Sequence, residues 1–183
     1  MTQSLQSTRA KFASGPSHST WLFCAGVPPG VARVETRTVI SRPAETVFDF
    51  VTTTTLWHTW HPATVAVKDA PDHPLTVGEG VTETIAVAGR RAEARWTVLE
   101  CERPALWVIA TDNDSGAARI VYRLTRDNGG CSFQRTLEFR SKFWPWRALD
   151  KNLLTWVLIR QSAKALANLK RVLEANASGT SRQ

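Results

Sequence analysis

The chain has 183 residues, with 23 Lys and Arg against 16 Asp and Glu, and is 43% hydrophobic. That length and composition suit one domain with a real core and exclude disorder of the whole chain. The longest apolar runs, such as Ala105–Ala110, fall far short of the roughly 20 residues of a membrane-spanning helix.

Residues 1–31 read as a flexible extension: rich in Ser and Thr, free of acids, and broken at Gly15-Pro16 and Pro28-Pro29-Gly30. Val31–Ile40 mixes β-branched and polar residues and predicts a strand. Ser41 is the expected N-cap of a short helix over 43–51, with Pro43 near its first turn and Ala44, Val47, Phe48 and Val51 on one face. The Thr52–Thr55 run ends that helix, and Leu56–Trp60 predicts a second short helical turn. Beyond Pro62 the period changes to two. Strands are expected over Thr64–Asp69, Val81–Val87, Arg91–Cys101, Ala105–Thr111, Ala117–Arg126 and Cys131–Arg140. Turns at Gly78-Glu79-Gly80, Ala88-Gly89, Arg103-Pro104, Asp114-Ser115-Gly116 and Asp127-Asn128-Gly129-Gly130 separate them. The sum is an antiparallel meander.

A long amphipathic helix follows, roughly Arg147–Ala175. Leu154, Leu158, Ala165, Leu169, Val172 and Leu173 share one face, and Arg160, Lys164 and Arg171 lie opposite. A sheet with one apolar face needs a cover, and this helix is the only predicted element long enough. The expected fold is α+β, a strongly curved antiparallel sheet wrapped round the C-terminal helix. Residues 32–175 form the domain and 176–183 a second flexible tail.

The net charge of +7 sits at the ends: residues 1–34 carry +3, residues 35–141 carry −2, and residues 142–183 carry +6. No reading helix or aromatic-interleaved basic motif accompanies it, so nucleic acid is not expected as a partner. The basic helix face and N-terminal tail suit peripheral contact with anionic membranes, or simply solvation of a helix back. Cys24, Cys101 and Cys131 are too scattered for a CxxC pair, which points to free thiols in a reducing, cytoplasmic setting. Oligomeric state is not readable.

Motifs for serine hydrolases, phosphate loops, dinucleotide binding and zinc proteases are all missing, and no cofactor is expected. His58 and His61 are spaced i, i+3, but nothing is placed to complete a metal shell with them or with His73, so no metal is expected. Eight tryptophans are more informative. Trp57 suits the core, whereas Trp96 and Trp107, on strands, suit either the core or the wall of an aromatic-lined cavity. Strand parity sets Arg135 beside Phe133, Leu137 and Phe139. It sets Glu83 beside Val81, Ile85 and Val87, and Tyr122 beside Ile120 and Leu124. Charges inside a sheet are costly unless paired. Glu83 and Arg135 are therefore either paired in a pocket or turned out by a bulge. In the first case Arg135, Glu83 and Tyr122 are its polar handles.

The run Arg42-Pro43-Ala44-Glu45-Thr46-Val47-Phe48-Asp49-Phe50-Val51, then Trp57-His58-Thr59-Trp60-His61-Pro62, a hairpin meander and a long helix resembles the START-like (SRPBCC) superfamily. The similarity is to its polyketide cyclase/dehydrase and lipid-transport branch, over residues 32–175. It implies a helix-grip fold holding a hydrophobic ligand between sheet and helix, either as a carrier or with cyclase/dehydrase activity. On that reading Trp60, Trp96, Trp107, Tyr122, Phe133 and Leu158 contact the ligand, Arg135 polarises a carbonyl, and Glu83 moves a proton. A third reading is an interaction module whose core is filled by its tryptophans.

Overall fold

The computed structural model describes residues 31–180, apart from 88, 114–115 and 142–150. The expected N-terminal extension, the centre of the 114–116 turn, Trp144, Trp146 and the start of the long helix lie outside the described residues, as does the side chain of Leu154.

Strand β1 (Ala32–Ile40) leads into helix α1 (Ala44–Thr52). The apolar face read from the sequence is the buried one: Ala44, Val47, Phe48 and Val51. The cap differs from expectation. Pro43 occupies the N-cap position without a side-chain hydrogen bond. Ser41 instead donates its backbone N–H to the Glu174 carboxylate at 2.9 Å, so it ties β1 to the long helix rather than starting α1. The Thr run ends the helix because Thr52 and Thr53 turn their hydroxyls back onto Phe48 and Asp49 carbonyls, at 2.8 and 2.7 Å. A single 3₁₀ turn (Thr54–Leu56) and helix α2 (Trp57–Trp60) follow.

Six further strands complete the meander: β2 (Thr64–Lys68), β3 (Gly80–Val87), β4 (Arg90–Glu102), β5 (Leu106–Asn113), β6 (Gly116–Asp127) and β7 (Gly130–Ser141). They form one antiparallel sheet in the order β1-β7-β6-β5-β4-β3-β2. Register shifts in the β2–β3 and β4–β5 pairings are bulges of the kind that bend a strand and tighten a sheet's curl. The β6–β7 turn needs its glycines. Gly129 has φ +79°, and a Cβ on Gly130 would come within 2.4 Å of the Ile40 carbonyl oxygen of β1.

Helix α3 (Lys151–Thr180) runs past the Ala175 end that its periodicity predicts. It lies chiefly against β1 and α2. Leu158, Ala165, Leu166, Leu169 and Leu173 are buried on the inner face, while Arg160, Lys164 and Arg171 are exposed. Polar ties lock its C-terminal half. Lys170 donates to the Val39 carbonyl at 2.8 Å, and Asn168 donates to the Trp60 carbonyl at 3.2 Å.

Under α2 sits an aromatic cluster. Trp57 meets Trp107 edge-on at 6.3 Å, Trp107 stacks on Tyr122 at 5.3 Å, and Tyr122 meets Phe133 at 5.1 Å. The indole N–H groups of Trp57 and Trp107 are satisfied by the Val51 and Leu75 carbonyls, at 2.9 and 3.0 Å. Of the thiols, Cys131 is buried and Cys101 half-buried, both free.

Leu169 is fully buried on the inner face of α3. Leu169→Ala should lower unfolding free energy by about 2–5 kcal/mol in urea titrations, because this packed site cannot collapse around the missing atoms.

Candidate functional site

Between the sheet and the first half of α3 lies a cavity of about 330 Å³, near the lower end of the roughly 300–1,000 Å³ typical of ligand sites. Its existence follows from residue size. Where the neighbouring concave surface carries Trp107, Tyr122 and Phe133, this part carries Ala92 and Ala94 on β4 and Gly116, Ala117 and Ala118 on β6. Ile85, Ile120, Leu137, Phe139 and Leu158 make much of the wall apolar. The polar lining comprises His61, Glu83, Arg135 and Ser162, with Arg91, Glu93, Thr111, Asn113 and Gln161 besides.

Each of these is placed by its element. Glu83 and Arg135 are 4% and 3% exposed, so the inward register holds and neither is turned out. The two are not in direct contact; no ion pair within 4 Å joins them. Between them stands a relay of neutral groups. Arg135 donates through Nη2 to His61 Nε2 at 3.4 Å. A guanidinium cannot accept, so the His61 proton belongs on Nδ1, where the Thr64 hydroxyl lies at 3.2 Å as acceptor. Thr64 in turn donates its hydroxyl to Glu83 Oε1. The other carboxylate oxygen of Glu83 accepts from the Trp96 indole at 2.8 Å. Arg135 also donates through Nη1 to the Ser162 hydroxyl of α3 at 3.0 Å, and it stands opposite Tyr122 in the β6–β7 ladder.

Burial sets the protonation states. Desolvation, helped by the Arg135 charge, pushes the His61 pKa down to about 3, so the imidazole is neutral at pH 7. Desolvation raises the Glu83 carboxyl above its ordinary value, against the lowering effects of its Thr64 and Trp96 hydrogen bonds and of Arg135. Burial likewise pushes the Tyr122 phenol up to about 12, so it is a neutral donor or acceptor.

Of the eight residues read from the sequence, Glu83, Arg135, Trp96 and Leu158 meet on the cavity wall. Trp60, Trp107, Tyr122 and Phe133 do not line it; they pack on one another as a buried aromatic cluster. Thr64, Ser162 and the alanines are absent from the sequence reading, and His61 enters it only as a metal candidate beside His58 and in the Trp57–Pro62 run. The signals were there: Ser162 interrupts the apolar face of α3, and Thr64 is the first inward residue of β2. His58 is exposed and His73 bonds the Pro74 carbonyl, so neither joins His61.

A curled antiparallel sheet gripping one long helix over an apolar cavity is the helix-grip, START-like fold, a hydrophobic ligand-binding fold. Residues 31–174 match the model of the family described as polyketide cyclase / dehydrase and lipid transport, and the chain belongs to that family. Solved structures agree on the fold. A START superfamily protein from Mycobacterium smegmatis superposes with TM-score 0.66 at 11% identity, over 78% of this chain and 97% of that one. The major latex-like protein 151 of Panax ginseng gives TM-score 0.60 at 8% identity, over 79% and 98%. In sequence, "Penitrem biosynthesis cluster 1 protein I" of Penicillium ochrochloron is 42% identical over 62 residues, which span 33% of this chain and 40% of that relative. No helix among the described residues is long and apolar enough to cross a membrane.

The lowered pKa of His61 carries a sign. The folded chain binds fewer protons here than the unfolded one, so the stabilisation is complete above the unfolded value of 6.5 and is lost as pH falls toward about 3. Urea unfolding of the parent should therefore weaken over that window by up to about 1.4 kcal/mol per pH unit more than that of His61→Gln.

Proposed function

We propose that this protein holds a polyketide-like or lipid molecule in the alanine-walled cavity, with a ligand oxygen directed at Arg135. The observation that carries this reading is the pairing of an apolar chamber with one cluster of buried, convergent polar groups. The name of the Penicillium relative, which places that protein in a biosynthesis cluster, supports a ligand that is a biosynthetic intermediate.

The same geometry suits cyclisation or dehydration of a bound carbonyl compound. Arg135 polarises the carbonyl oxygen. Glu83 takes a proton from the neighbouring carbon and returns it to the oxygen of the new alkoxide, or to the leaving hydroxyl, which departs as water. Burial raises the Glu83 carboxyl above its ordinary value, which makes it a stronger base when ionised. The second reading is a non-catalytic carrier that docks on anionic membranes. It is favoured by exposed Trp156 and Ile159, with Arg160 stacked 4.8 Å from the Trp156 ring and Lys164 and Arg171 also on the outer surface of α3. Salt-sensitive binding to anionic vesicles separates carrier from enzyme. The open chamber counts against a protein-interaction module with a filled core.

Native mass spectrometry followed by denaturing extraction should release a co-purified apolar compound. An empty protein that also takes up no member of a lipid and dye panel would sink the ligand-binding reading. Ala118 lines the cavity and is 7% exposed. Ala118→Phe should fill the chamber, keep the far-UV circular dichroism of the parent, and reduce ligand uptake at least about tenfold, a loss of about 1.4 kcal/mol of binding.

A further inference from the structure

We infer that the ligand is an acid: an apolar molecule whose carboxylate, or another oxyanion of similar shape, neutralises Arg135 inside the cavity. The inference rests on the chamber being a ligand site and goes on to name the chemistry of its head group.

The argument is a count of donors and charges. Arg135 is 3% exposed and lines the cavity. Its hydrogen-bond partners are the Ser162 hydroxyl and the His61 ring nitrogen, both neutral. Its Nε is buried with no hydrogen-bond partner. A guanidinium offers five donors in a planar fork that matches a carboxylate in two-point contact. A buried cation is ordinarily paired or coordinated by an anion. The carboxyl that shares the cavity wall with it at the buried side is Glu83, which is engaged by Thr64 and Trp96 and separated from it by the His61–Thr64 relay. Arg33, Arg103, Arg119 and Arg126 each meet a carboxylate within 4 Å, as Arg103 meets Asp49 at 2.7 and 2.8 Å. The one arginine buried on the cavity wall is left without that partner.

Glu83 would not repel an incoming anion in full. It feels Arg135 only at a distance, and its own burial favours the protonated form. Arg91 and Glu93 also line the chamber, and both are exposed. They place a cation and an anion together there and supply no net charge to attract an acid.

The test uses the full chain, purified and stripped of lipid, with the neutral dye N-phenyl-1-naphthylamine as reporter of the chamber. Decanoate, methyl decanoate and decanol are then used to displace the dye. Decanoate should displace it at concentrations about ten- to a hundredfold lower than either neutral analogue, the range expected for a charge-assisted contact. Arg135→Met should still take up dye and lose that preference, and Arg135→Lys should keep part of it. Equal displacement by all three compounds in the parent protein would overturn the inference while leaving the chamber as a ligand site. A preference that survives Arg135→Met would overturn the assignment to Arg135. Failure of the parent to take up dye or any of the three compounds would sink the ligand-binding reading itself. If Arg135→Met does not fold, the comparison of the three compounds in the parent and in Arg135→Lys still decides.

Discussion

A sheet of seven strands that curls round a single helix has more concave surface than the helix can cover. Helix α3 stands against β1 and α2, so the rest of the concave surface must be filled by side chains of the strands and of α2. The aromatic cluster of Trp60, Trp107, Tyr122 and Phe133 does this over one part. Over the other part Ala92, Ala94, Gly116 and Ala118 stand among the lining positions, and the space they leave is a cavity. The curl also brings together strands that are far apart in the sheet. Three strands separate β7 from β3 in the order, yet Arg135 of the first and Glu83 of the second face one chamber.

The two charges are spaced, and this sets the chemistry of the site. Direct contact would have made a buried ion pair, with each member satisfying the other and neither available to a ligand. The His61–Thr64 relay, supplied by the segment between α2 and β2, keeps each charge partly solvated by neutral donors and acceptors. It also spans the open side of the curled sheet, linking the β7 side to the β2 edge. The pressure on His61 to stay neutral comes from the same arrangement: a second cation beside Arg135 would be unpaired and buried.

The fold was legible because its signals are local and periodic. Alternation and Gly-rich turns mark each hairpin, and the 3.6-residue spacing of Leu158, Ala165, Leu169 and Leu173 marks the inner face of α3. Parity alone put Arg135 and Glu83 on the buried side, since a strand cannot hide one neighbour without exposing the next. Ser41 misled because a good capping residue is also a good loop residue, and which role it takes depends on Glu174, 133 positions away. The division of the aromatics between core cluster and cavity wall was not legible. It depends on which rings stack across β5, β6 and β7, and that is settled by the depth of the curl. The alanines of the wall give no signal in a strand pattern, where a small apolar residue and a large one count alike. Thr64 and His61 become a relay only once the sheet has closed.

The spacing of Arg135 and Glu83 has a consequence for any guest. With positive charge on the β7 side and a carboxyl on the β3 side, the chamber carries an electric gradient across its width, in surroundings that screen it poorly. A molecule with its own dipole is therefore favoured one way round and penalised when turned end for end. Its orientation is chosen by long-range electrostatics before close packing begins. Different guests that share only their polarity would lie in the chamber in the same sense.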